Sequence, residues 1–120
     1  MSYPKIAKII LKLAENTQKG SIKWEETGSP AIFQAAFPGY AVQVWVSRNV
    51  DDPQYSDYYL RIIDEEGKIV EEVSDLDLKN VLENPYETMK ELCNVARRSA
   101  LGVENALNSI LNSLKDEPPF

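Results

Sequence analysis

At the start of the chain, apolar residues recur at three- and four-residue steps: Tyr3, Ile6, Ala7, Ile10, Leu13 and Ala14. This spacing puts them on one face of a helix, with Pro4 suited to its first turn and Gly20 to its stop. Ile9 and Leu11 flank the stripe and widen it to roughly half the circumference, more than the ~100° of an ordinary surface helix, so cover on two sides is expected. Lys5, Lys8, Lys12 and Lys19 fall opposite, as a solvated lysine face.

From Ile22 to Val73 the period changes to two. Ile22 to Thr27 reads as a strand, and Gly28-Ser29-Pro30 separates it from a second, Ala31 to Phe37, in which Phe33, Ala35 and Phe37 alternate. Pro38-Gly39 turns the chain into a third strand with the apolar row Tyr40, Val42, Val44 and Val46. Asn49 to Gln54 reads as a loop. Tyr58, Leu60 and Ile62 mark a fourth strand, and Asp64-Glu65-Glu66-Gly67 turns into a fifth, Lys68 to Val73, with Ile69 and Val73 facing inward. Connections this short imply an antiparallel meander.

After Ser74, Asp75 to Leu82 reads as a short helix capped by Ser74 or Asp75, and Asn84-Pro85 is a strong helix start. The row Tyr86, Met89, Cys93, Ala96, Ala100, Val103, Leu107, Ile110 and Leu114 then alternates steps of three and four without a slip. Its phase runs through Gly102, so one helix of about 30 residues and about 45 Å is expected, the alternative being two helices broken at that glycine. Cys93, Ala96 and Ala100 are small enough for another backbone to approach closely. Val103, Leu107, Ile110 and Leu114 are the bulkier knobs of a helix seam, covered either by the first helix or by the same helix of a second copy, antiparallel across a two-fold axis. A homodimer through this helix is the expectation. The end, 115–120, reads as a frayed tail. The fold class is therefore α+β in a single domain, 1–120: an N-terminal helix, a five-stranded antiparallel meander and a long C-terminal helix packed on one sheet face.

Composition narrows the chemistry. The 120 residues include no His and one Cys, which removes Ser-His-Asp and Cys-His catalysis, His-ligated zinc and an internal disulfide within one chain. No phosphate-binding glycine loop occurs, and the acidic pairs lie in turns and on an edge strand, where solvation is their ordinary state. Asp75 and Asp77 lack the further oxygen ligands and the glycine of a calcium loop. No cofactor and no metal are expected. With no span long and apolar enough for a bilayer, no leader pattern and an unpaired Cys93, the expected compartment is the cytoplasm. The formal charge of −6 is unevenly spread. Residues 1–27 carry five cations against three acids, whereas residues 28–84 carry four against eleven, a net of −7. An acidic middle repels phosphate backbones and argues against nucleic acid, while a basic protein partner suits it.

Two surfaces stand out as candidate sites. If the valine row of the third strand faces the helices, Gln43 and Trp45 point outward, joined by Tyr59, Arg61 and Ile63 of the neighbouring strand and extended by Trp24. Trp, Tyr and Arg are the residue types most enriched at binding hot spots. The plain alternative is an Arg stacked on an aromatic ring as sheet decoration. The second candidate is Arg97, which has no acid three or four residues away and, with Arg61, offers an anion clamp; the alternative there is a tertiary ion pair to a meander acid.

Taken together, the first helix, Lys23-Trp24-Glu25-Glu26-Thr27, the Phe33-to-Tyr40 hairpin, the Asp64-to-Val70 turn and Ala96-Arg97-Arg98-Ser99-Ala100-Leu101 resemble small bacterial and phage α+β proteins of uncharacterised function. The likeness spans most of the chain and implies a bacterial or phage-like origin, with no functional residue carried over. In size, acidity and helix–strand order the chain is also similar to secretion chaperones and toxin-immunity proteins. The function expected is a non-catalytic cytosolic protein-interaction module, adaptor, chaperone-like or immunity-like, with a sensor of a small anionic ligand as the alternative and an enzyme third.

Overall fold

A computed structural model describes residues 3–48, 51 and 56–115. Helix α1 (Tyr3–Gln18) leads into strands β1 (Trp24–Glu26), β2 (Phe33–Phe37), β3 (Tyr40–Arg48), β4 (Ser56–Asp64) and β5 (Ile69–Ser74), which pair antiparallel in the order β1-β2-β3-β4-β5. A 3₁₀ turn (Asp75–Leu78) and helices α2 (Pro85–Ala100) and α3 (Val103–Lys115) follow. The fold is α+β with an antiparallel meander, as the change of period implies. The first strand is shorter than Ile22 to Thr27, and apart from Asp51 the loop Asn49 to Gln54 lies outside the described residues, as does the tail beyond Lys115.

The turns follow from their residues. Phe37 pairs with Tyr40 across Pro38-Gly39, and Gly39 at φ 79° supplies the positive φ that a turn with Pro ahead of Gly requires. In the next hairpin the Asp64 carboxylate accepts from the N–H groups of Glu66 and Lys68, both at 2.9 Å, holding a turn closed by Gly67. A bulge follows: Ile62 pairs with Glu71 but Ile63 with Ile69, leaving Val70 over. That extra residue reverses the side to which the strand's first residues point. Ile69, expected inward, therefore pairs with outward-facing Ile63 and is exposed, while Val73 opposite Leu60 is fully buried.

The core lies between one sheet face and the helices. Ile6, Ala7, Ile10 and Leu13 of α1 meet Met89, Leu92, Cys93 and Ala96 of α2, above Trp24, Phe33, Ala35, Val42, Val44, Leu60 and Val73. The small stripe of α2 is indeed the close-packed part. Helix α1 is covered on one side only: Ile9 and Leu11, expected under a second cover, are exposed. Leu78 and Leu82 plug the end of the core beyond β5.

The single 30-residue helix is not formed. Leu101 N–H donates to the Arg97 carbonyl and Gly102 N–H to that of Ser99, a left-handed stop with Gly102 at φ 64°, and the Gly102 carbonyl then starts α3 by accepting from Ala106 N–H. Beyond the break the apolar row no longer continues the buried stripe of α2. Leu107, Ile110 and Leu114 are exposed, Val103 is half-buried beside the end of α1, and no residue of α3 is buried.

Candidate functional site

The outward sheet face is set by strand register. Each step across the meander places residues of one parity side by side, so Glu25, Gln34, Gln43, Arg61 and Glu72 form one continuous row over all five strands. The next row brings Trp45 beside Tyr59 and Ser74. Gln43, Trp45, Tyr59 and Arg61 thus share one face, as the valine row of β3 implies. The helices α1 and α2 bury the other.

Within the polar row the side chains hold one another. Gln43 Nε2 donates to Gln34 Oε1 at 2.7 Å, Arg61 Nη1 to Gln43 Oε1 at 3.3 Å, and Arg61 Nε to Glu72 Oε1 at 3.0 Å. The guanidinium carbon of Arg61 stands 4.4 Å from the Trp45 ring centroid. Trp45 also stacks with Tyr59 at a centroid distance of 5.3 Å and 10° between planes. A charge and two rings are therefore fixed before any partner arrives, with the stack and the cation–ring contact each contributing about 0.5–1.5 kcal/mol. Burial, and then the charges of Asp57, Asp75, Glu72 and Asp77, raise the Tyr59 hydroxyl above its ordinary 10.0, so it remains a donor. Glu25, Gln34 and Glu72 are the members of this row that strand patterns alone did not mark; the register across Pro38-Gly39 is the signal that points to Gln34.

Trp24 does not extend the patch. It lies in the row Trp24, Ala35, Val42, Ile62, on the helix side, and is only 2% exposed. Its indole Nε1 donates to Thr17 Oγ1 at 2.8 Å, and that hydroxyl donates to the Leu13 carbonyl, so the residue is a buried link between β1 and α1. The clamp of Arg97 with Arg61 is also not assembled. Arg97 sits on α2 at the rim of a cleft of about 680 Å³ on the helix side of the sheet, across from Arg61. It bonds Asn94 Oδ1 at 3.3 Å.

That cleft is floored by Phe33, Val44, Val46 and Tyr58, and its α2 wall carries Glu87, Lys90, Glu91 and Arg97. Two acids face two bases along the wall, so the cleft carries no net preference for an anion. Cys93 lies within it, donating its thiol to the Trp45 carbonyl at 3.8 Å; burial, reinforced by the charge of Asp75, pushes that thiol up to about 12. At neutral pH it is protonated and a poor nucleophile. Asp75 is occupied as well: Oδ1 accepts from Tyr58 N–H at 2.9 Å, continuing the β4 ladder past the end of β5. Among the described residues no group of three His, Cys, Asp or Glu side chains converges as a metal site, and no helix is long and apolar enough to cross a membrane.

Set against protein-family models, curated proteins and solved structures, the chain matches none of them.

Proposed function

We propose that this chain is a non-catalytic protein-interaction module that engages a protein partner through the outward face of its sheet. One observation carries the reading: Trp45, Tyr59 and Arg61 are stacked and hydrogen-bonded into a fixed group on a face that α1 and α2 leave open. A preformed aromatic and guanidinium cluster loses little conformational freedom on binding, which is what lets such residues dominate interface energies. The partner that suits it is a basic protein. Glu72 lies beside Arg61, Glu25 at the far end of the same row and the turn Asp64-Glu65-Glu66 at the end of β4, acids that attract a basic rim and steer its approach.

The reading predicts that Trp45→Ala with Arg61→Ala abolishes capture of the partner by the immobilised protein. Lys5→Ala with Lys12→Ala, on the exposed side of α1, leaves capture intact. Circular dichroism and the unfolding midpoint serve as the check that both variants fold. Capture undiminished by the Trp45 and Arg61 changes would remove the proposal.

A further inference from the structure

The helix α3 is out of balance with its surroundings. A helix of 13 residues is at the lower limit of stability in water and depends on packing its apolar face. That face exists, as Val103, Leu107, Ile110 and Leu114 with Leu111 beside them, yet Leu107, Ile110, Leu111 and Leu114 are between 46% and 62% exposed. Its first turn is tied to α2 by Arg98 Nη2 to Glu104 Oε1 at 3.2 Å.

We propose that a second copy of this chain covers α3, the two helices pairing antiparallel about a two-fold axis. The spacing of four, three and four from Val103 to Leu114 is that of a two-helix seam, and antiparallel alignment sets Leu107 opposite Ile110 and Val103 opposite Leu114 of the other copy. Charge selects the occupant and its direction. The only charged residues of α3 are Glu104 in the first turn and Lys115 in the last, so the antiparallel arrangement brings each Glu104 towards Lys115 of the second copy, whereas a parallel one sets like beside like. The remaining polar positions are Asn and Ser, which repel nothing. Burying both stripes removes on the order of 1,000 Å² of surface in total, the size at which specific interfaces begin. This pairing is independent of the sheet face and leaves it open.

Light scattering or sedimentation of the full chain across the micromolar range should give twice 13.6 kDa, with dissociation on dilution. Leu107→Asp with Ile110→Asp should give a 13.6 kDa monomer with an intact core, because α3 buries nothing within its own copy. A monomer at every concentration overturns the proposal, and so does an association that survives the two aspartates. Direction is read by oxidative cross-linking. Val103→Cys combined with Leu114→Cys should trap a covalent dimer while Val103→Cys alone does not; a dimer trapped by Val103→Cys alone is the parallel arrangement and overturns the antiparallel one. Cys93 is buried and does not compete.

Discussion

Cys93 and Trp24 are both placed where an isolated reading of residue type misleads. A lone cysteine invites a search for reactivity, but the protein removes its solvation, raising the thiol from 9.0 to about 12. Because the folded value lies above the unfolded one, the native state holds the proton longer. The resulting stability is fully present below about pH 9 and is lost as pH rises towards about 12. Urea unfolding in alkaline buffers should therefore show a steeper decline for the parent than for Cys93→Ala, and a thiol reagent at neutral pH should react only as fast as the protein opens. Equal slopes would mean that the thiol is not held in this environment. Trp24 was expected on the binding face because its own strand, read as Ile22 to Thr27, does not say which parity faces the helices; the register with β2 does, pairing Trp24 with inward Ala35. With Trp24 instead donating to Thr17, Trp24→Phe loses one buried hydrogen bond and some volume, a cost of about 1–3 kcal/mol. Once Thr17→Val has removed the acceptor, the same change should cost less, and additive losses in a double-mutant cycle would deny the bond.

At the scale of elements, what was legible depended on how far each signal reached along the chain. Nine-residue β3 and β4 with alternating apolar rows, Pro38-Gly39 between β2 and β3, and Asn84-Pro85 ahead of α2 are local statements, and each element stands where its residues place it. The face shared by Gln43, Trp45, Tyr59 and Arg61 followed from the same alternation. Two things were hidden. The Val70 bulge adds one residue without leaving a mark in composition, and it turned Ile69 outward. The seam from Tyr86 to Leu114 keeps its rhythm through Gly102, because a three-and-four pattern counts residues and is blind to one φ angle. Gly102 was the audible warning, and the positive φ there decides the outcome. Gly102→Ala meets nothing within 4 Å of the added carbon, so its cost comes from the left-handed backbone, about 1–2 kcal/mol. A lowered denaturation midpoint for Gly102→Ala, partly restored by Gly102→Asn, is the expected result; an unchanged midpoint would mean that the break is not held.

At the scale of the whole molecule, the chain divides its tasks between a core contained in residues 3–100 and a helix that projects from it, which is why the long dimension reaches 60 Å against 36 and 26 Å for the others. The acidity belongs to the sheet, while α3, with one acid and one base, is nearly neutral. Electrostatics therefore leave α3 free to meet its own copy while the meander draws basic partners, and two copies joined through α3 would offer two sheet faces at once. Avidity for a partner displayed on a surface would rise with them, provided both faces can reach. Thermodynamics separates the two tasks. If α3 serves only association, deleting residues 103–120 should leave a cooperative unfolding transition whose midpoint does not depend on protein concentration. The full chain's midpoint should rise with concentration, because association stabilises the folded state by mass action. Unfolding of the shortened chain without a transition would assign α3 to the core after all, against its lack of a single buried residue.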